Sequence, residues 1–101
     1  MCPTVWFYLA EIYRLQEGRA WPTLSMIADA MGVSLQAASR MVRRMAENGH
    51  IVHEPYQGVR LTPEGEKIAL YMIRRHRILE AYMVSVMRFG WDEVHDMVEL
   101  L

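Results

Sequence analysis

Two sets of side chains in this 101-residue sequence have the types and spacing to do chemistry. The first lies between Ser34 and Glu47. Gln36, Arg40, Arg43 and Glu47 recur there at helical intervals, with Ser39 and Arg44 beside them, and the apolar Ala38, Met41, Val42 and Met45 fall on the opposite side. Gln36 and Arg40, in the first turns, can bond base edges bidentately, while Ser39, Arg43 and Arg44 can hydrogen-bond or neutralise phosphates. Arg60 alternates out of phase with Val59 and Leu61 and is expected to point toward solvent or a nucleic-acid backbone. A basic stripe taken alone is more often a solvated helix face.

The second set is a repeated pair. His76 and Glu80 are four apart, in phase with Ala69, Met72, Met83 and Met87, and His95 and Glu99 repeat the spacing beside Trp91 and Val98. If the two helices pack together, two imidazoles and two carboxylates meet where unpaired charge is costly, and a divalent cation would satisfy them. Imidazole with carboxylate suits Mn, Fe, Co, Ni or Zn. The same spacing also serves an ordinary His–Glu contact on a helix surface, and spacing alone does not separate the two. Hydrolysis finds no support, because the sequence has no His-Glu-x-x-His run, no Gly-rich phosphate loop and no Ser or Cys nucleophile placed beside a base; an enzyme is not expected.

These groups need elements to hold them. The apolar periodicity predicts a first helix from Thr4, as its cap, to Glu17, stopped by Gly18. Thr23 caps a second, Leu24 to Met31, ended by Gly32, and Ser34 caps a third that breaks at Asn48-Gly49. Two helices joined by the three-residue turn Gly32-Val33-Ser34 make a helix-turn-helix. Ile51-Val52 and Val59-Arg60-Leu61 then read as two strands around the turn Pro55-Tyr56-Gln57-Gly58. Thr62-Pro63-Glu64 starts a fourth helix expected to reach Phe89, and after Gly90 a fifth is expected to be capped by Asp92 and to begin at Glu93. The fold class is mainly α with a small β-hairpin, a winged helix-turn-helix. Arg19 and His50 are read as surface residues.

Composition agrees with a folded domain. With 52% hydrophobic and 23% charged residues the chain is neither disordered nor low in complexity, and its single cysteine suits a reducing compartment. No uncharged apolar run long enough to span a bilayer occurs. The net charge is only −1, but seven arginines and one lysine lie between Arg40 and Arg77 against four glutamates, while the last ten residues hold Asp92, Glu93, Asp96 and Glu99 without a basic residue. Helical periodicity still runs at Leu101, which reads as the front portion of something longer or a shortened relative of it.

The segments Tyr8–Leu15, Ile27–Ser34, Tyr56–Gly65 and Arg75–Glu80, with Trp91-Asp92-Glu93-Val94-His95, resemble in order and spacing the iron- or manganese-dependent repressors typified by the diphtheria toxin repressor. The resemblance implies a winged helix-turn-helix over residues 1–62, followed over 63–101 by a long helix and the start of a helical metal-binding and dimerisation domain. It further implies a homodimer that binds palindromic double-stranded operator DNA when loaded with Fe(II) or Mn(II), and Ser34, Gln36, Ser39 and Arg40 fall on its recognition helix. By position His76, Glu80 and His95 match an ancillary metal site, and Glu99 falls where the primary site has Cys or Glu. The departures are Phe7 and Ala10, where helix one of the family supplies ligands; Glu11 lies one position off that face. They leave open a second reading, a winged-helix regulator that has lost the primary metal site and binds DNA without metal.

Overall fold

The computed structural model describes residues 3–85 and 91–100, with side chains over 4–82 and 95–100. The elements are α1 (Pro3–Gly18), α2 (Leu24–Met31), α3 (Leu35–Glu47), β1 (Ile51–Glu54), β2 (Gly58–Leu61), α4 (Pro63–Ser85) and α5 (Trp91–Leu100). Among the described residues no helix is long and apolar enough to cross a membrane.

Local chemistry explains most boundaries. Thr23 Oγ1 accepts the Met26 N–H at 3.1 Å and Ser34 Oγ accepts that of Ala37 at 3.1 Å, each satisfying an orphan donor of a first turn. Gly32 closes α2 at φ 67°, and its N–H and that of Val33 return to Asp29 and Ala28 carbonyls. Thr4 lies inside α1 and does not cap it: the helix already includes Pro3, whose missing N–H costs nothing at a first helical position. Both strands are longer than periodicity indicates. Glu54 pairs with Gly58 and Ile51 with Leu61, so Gly58 joins the ladder and the turn is Pro55-Tyr56-Gln57. The helix α5 takes in Asp92, which therefore does not precede it as a cap. The expected end of α4 at Phe89 and its stop at Gly90 lie outside the described residues.

The core gathers Val5, Tyr8, Leu9 and Ile12 of α1, Ile27 of α2, Val42 and Met45 of α3, Ile51, Val59 and Leu61 of the hairpin, and Ala69 of α4. The chain divides into two compact units, Met1–Leu70 and Tyr71–Leu101. The first takes in the opening turns of α4 because Ala69, with Ile68 against it, belongs to the core.

Backbone contacts fix the hairpin within the first unit. The Val59 N–H donates to the Pro22 carbonyl at 2.8 Å, and the Leu61 N–H donates to Gln16 Oε1 at 2.7 Å. At Gly58, φ 132°, an added Cβ would lie 2.3 Å from the Pro22 oxygen, so only glycine permits this approach. Thr62 ties the other side: its N–H donates to the His50 carbonyl at 3.0 Å, and its hydroxyl donates to the Gly49 carbonyl at 2.7 Å while accepting the Gly65 N–H at 3.2 Å. His50 is thus buried, not a surface residue, because its N–H and carbonyl are both engaged, with Met45 and Thr62 respectively, beneath the start of α4. Arg19 is exposed and donates from Nε to the Trp21 carbonyl at 3.2 Å.

A Cβ at position 65 would fall 2.0 Å from the His50 carbonyl oxygen, whereas one at position 18 would meet nothing within 4 Å. Gly65→Ala is therefore expected to destabilise the fold by about 2–3 kcal/mol through forced backbone displacement. Gly18→Ala should stay within about 0.5 kcal/mol of wild type. Urea denaturation of the two variants makes the comparison, and equal stability would contradict the close packing of α4 on the α3–β1 junction.

Candidate nucleic-acid interface and metal-ligand cluster

The apolar side of α3 turns Ala38, Val42 and Met45 into the core, with Met41 packed against it. A helix held by that side must present the opposite one, and Gln36, Arg40, Arg43, Arg44 and Glu47 are all exposed, with Ser39 half-buried. Leu24, Leu35, Gln36, Ser39, Arg40 and Arg43 line an open groove of about 560 Å³ beside the first turns. A second, of about 310 Å³, is lined by Tyr8, Ala37, Arg40, Met41 and Arg44. Burial raises the Tyr8 phenol above its ordinary value, so this ring stays neutral next to the arginines. The Ser34 hydroxyl caps the helix through its oxygen and retains its own hydrogen for donation.

The wing differs in detail from what alternation implies. Arg60 is exposed, as its phase requires, but its Nη1 donates to the Ala20 carbonyl at 3.3 Å and so lies against the α1–α2 connection. Gln16, which receives the Leu61 N–H, gives no signal in the sequence, because its partner is 45 residues away.

In the second unit, α4 carries His76 and Glu80 and α5 carries His95 and Glu99. His95 Nδ1 lies 3.2 Å from Glu80 Oε1, and its Nε2 lies 3.3 Å from Glu99 Oε1. Three of the four anticipated residues are thus in contact, with the imidazole between two carboxylates; His76 is buried on α4, one turn before Glu80. The two ring nitrogens point in diverging directions, so the carboxylates flank the ring. Among the described residues no three His, Cys, Asp or Glu side chains form a group that could hold a metal ion. By type, imidazole with carboxylate is a donor set for a first-row divalent ion, but here both ring nitrogens of His95 face carboxylates, so ligation by the ring requires one of them to give way. The hydrogen bond to Glu80 first, and then the charge of Glu99, raise the His95 pKa above 6.5 and favour the imidazolium.

These features define a winged helix-turn-helix protein followed by a helical unit bearing an imidazole–carboxylate cluster. Residues 4–59 match "Iron dependent repressor, N-terminal DNA binding domain", and residues 62–101 match "Iron dependent repressor, metal binding and dimerisation domain". The chain belongs to the iron-dependent repressor family. It is 32% identical over 91 residues to the HTH-type transcriptional regulator MntR of Lysinibacillus sphaericus, covering 90% of this chain and 63% of that protein. Among solved structures it is similar to a manganese-dependent transcriptional repressor in complex with manganese, at 39% identity and a TM-score of 0.81, covering 95% of this chain and 44% of that one. It is also similar to the metal-dependent transcriptional regulator MtsR, at 31% identity and a TM-score of 0.88, over 99% of this chain and 46% of that one. The chain therefore spans less than two thirds of the first of these proteins and under half of the other two.

Raised folded-state pKa values bind protons more tightly than the unfolded chain does. The His95 pairing thus contributes stability fully below about pH 6.5, and this is lost as pH rises through the higher folded value. The ring is largely exposed, so the effect on stability is small and NMR is the proper reading. In metal-free protein, Glu80→Gln and Glu99→Gln are each expected to lower the His95 titration midpoint, Glu80→Gln by more. A midpoint indifferent to both substitutions would dissolve the cluster.

Proposed function

We propose that this chain is the DNA-binding and metal-sensing portion of a transcriptional repressor of metal-homeostasis genes, acting in the cytoplasm as a homodimer on a palindromic operator. The observation that carries this reading is the exposed face of α3, where Gln36, Arg40, Arg43 and Arg44 all reach solvent from a helix whose other side is locked in the core. Family membership supports the regulatory class and gives no support to an enzyme. Two copies supply the two recognition helices that a palindrome needs, one DNA turn apart. In this reading Gln36 and Arg40 meet base edges, and Ser34, Ser39, Arg43, Arg44 and Arg60 meet phosphates.

His76, Glu80, His95 and Glu99 are the residues of this chain that would hold the metal. Mn(II) is favoured by the manganese-dependent relative and Fe(II) by the family description, while Zn(II), Co(II) and Ni(II) suit the same donors in vitro. A bound divalent ion would supply positive charge that holds the carboxylates of α4 and α5 together. This chain's own contribution is to gather Glu80 and Glu99 about His95, one of whose ring nitrogens would exchange its carboxylate for the metal, and to keep His76 buried. A second reading, DNA binding without metal control, draws on helix one: Ala10 is buried and has no donor, position 7 is Phe, and the Glu11 carboxylate is engaged by Arg14 at 2.6 Å.

Arg40→Ala is expected to weaken binding to a duplex selected from a random library by about 1–3 kcal/mol and to relax preference at one base pair. Arg43→Ala should weaken all duplexes alike and flatten the salt dependence by about one in log–log slope. Affinity that does not vary with salt in the wild type would defeat the DNA-binding proposal.

Calorimetric titration with Mn(II) separates the two readings. His76→Ala and His95→Ala are expected to lose most of the heat of binding, and wild-type affinity should already fall as pH drops below the raised His95 value, because protons and metal compete for the ring. Unchanged Mn(II) binding by both variants, with undiminished operator affinity after chelation, would establish the metal-independent reading.

A further inference from the structure

The tip of the wing holds the one non-glycine residue with positive φ among the described residues, Tyr56 at φ 67°. Its position in the turn makes this unusual. The Gln57 N–H donates to the Glu54 carbonyl at 3.2 Å, closing a turn with Pro55 at its second position and Tyr56 at its third. A turn with proline second and positive φ third is ordinarily served by Gly or Asn, because a bulky side chain crowds its own backbone there. Burial does not compensate the strain. Tyr56 is 109% exposed, the most exposed of the large hydrophobic side chains described, so its ring has no packing in this fold. A strained backbone carrying an unpacked aromatic ring points to a contact made outside the chain.

The rest of the wing narrows what that contact is. Arg60, the cation expected to reach DNA, has a guanidinium N–H on the Ala20 carbonyl, and β2 is tied through Val59 and Leu61 to Pro22 and Gln16. Residues 55–57 are therefore the outermost part of an anchored hairpin. An aromatic ring with a hydroxyl at its end suits the minor groove: the ring packs against deoxyribose walls while the phenol donates to adenine N3 or thymine O2. We infer that Tyr56 is a DNA-reading residue, inserted by the wing into the minor groove beside the segment read by α3, and selective there for A·T over G·C. This rests on the DNA-binding reading above and adds to it a second groove and a second specificity position.

The test uses the full chain with Mn(II) present and a duplex selected from a random library. Tyr56→Gly removes the ring and relaxes the turn. Tyr56→Asn is a second variant that tolerates positive φ. Both should melt no lower than wild type, so lost affinity cannot be attributed to unfolding. Each is expected to bind the duplex about tenfold more weakly, the size of one good base contact. Diaminopurine in place of adenine in the flank puts an amino group in the minor groove and leaves base pairing with thymine. It should weaken wild type by a similar factor and leave Tyr56→Gly unchanged. If wild type binds no duplex, the DNA-binding reading falls and this inference with it. If wild type binds and the variants bind equally well, or diaminopurine affects wild type and Tyr56→Gly alike, only the role of Tyr56 falls.

Discussion

The arrangement of the first unit depends on a seam of hydrogen bonds between β2 and the end of α1 with the α1–α2 connection. Val59 donates to the Pro22 carbonyl, Leu61 to the side chain of Gln16, and Gly58 lets the strand come close enough for both. A two-stranded hairpin is marginal by itself, and its free edge would leave amide groups unpaired. Here that edge is consumed by the body of the protein, so the wing behaves as part of the core that also holds α3. A second glycine contact, Gly65 against the His50 carbonyl, ties the start of α4 to the same junction. Recognition helix, wing and the root of α4 thus share one set of backbone bonds.

Charge placement follows from that geometry. The net charge of −1 conceals a division: arginines crowd the exposed side of α3, and carboxylates crowd α5 around His95. A uniformly basic surface would attract any polyanion, whereas a local basic face on a near-neutral protein confines attraction to one orientation. The carboxylates of the second unit have the opposite preference and favour the protonated form of His95. His95 titrates upward because a proton between two carboxylates is the simplest cation available to them.

Departures from a simple pattern also carry meaning. Ala10 shows α1 buried at a position where the resemblance implies a ligand, and the half-buried Phe7 offers no donor at another. Arg60 shows a wing cation engaged with its own chain. Tyr56 shows the reverse, a residue of the wing engaged with nothing in its own unit despite an unfavourable backbone. In each case the side chain's type was visible early, and its use depended on which partner lay within reach.

The sequence by itself determined the helices, the helix-turn-helix and the basic side of α3, because all rest on local signals: periodicity of 3.6, Thr and Ser caps, and glycine at the end of α2. It also marked His95 and Glu99 as neighbours, since i and i+4 meet on any helix. It misplaced the starts of α1 and α5, the strand ends and His50, where the deciding partners are not local in sequence or where two residue types compete for one boundary. Only the tertiary structure decided that Gln16 completes β2 from 45 residues away, that Glu80 reaches His95 across 15 residues, and that Gly58 and Gly65 are close-packing sites. Local propensity acts through bonds a few residues long, whereas these contacts exist only once distant segments have been brought together by the burial of Leu9, Ile27, Val42 and Val59 in a common core.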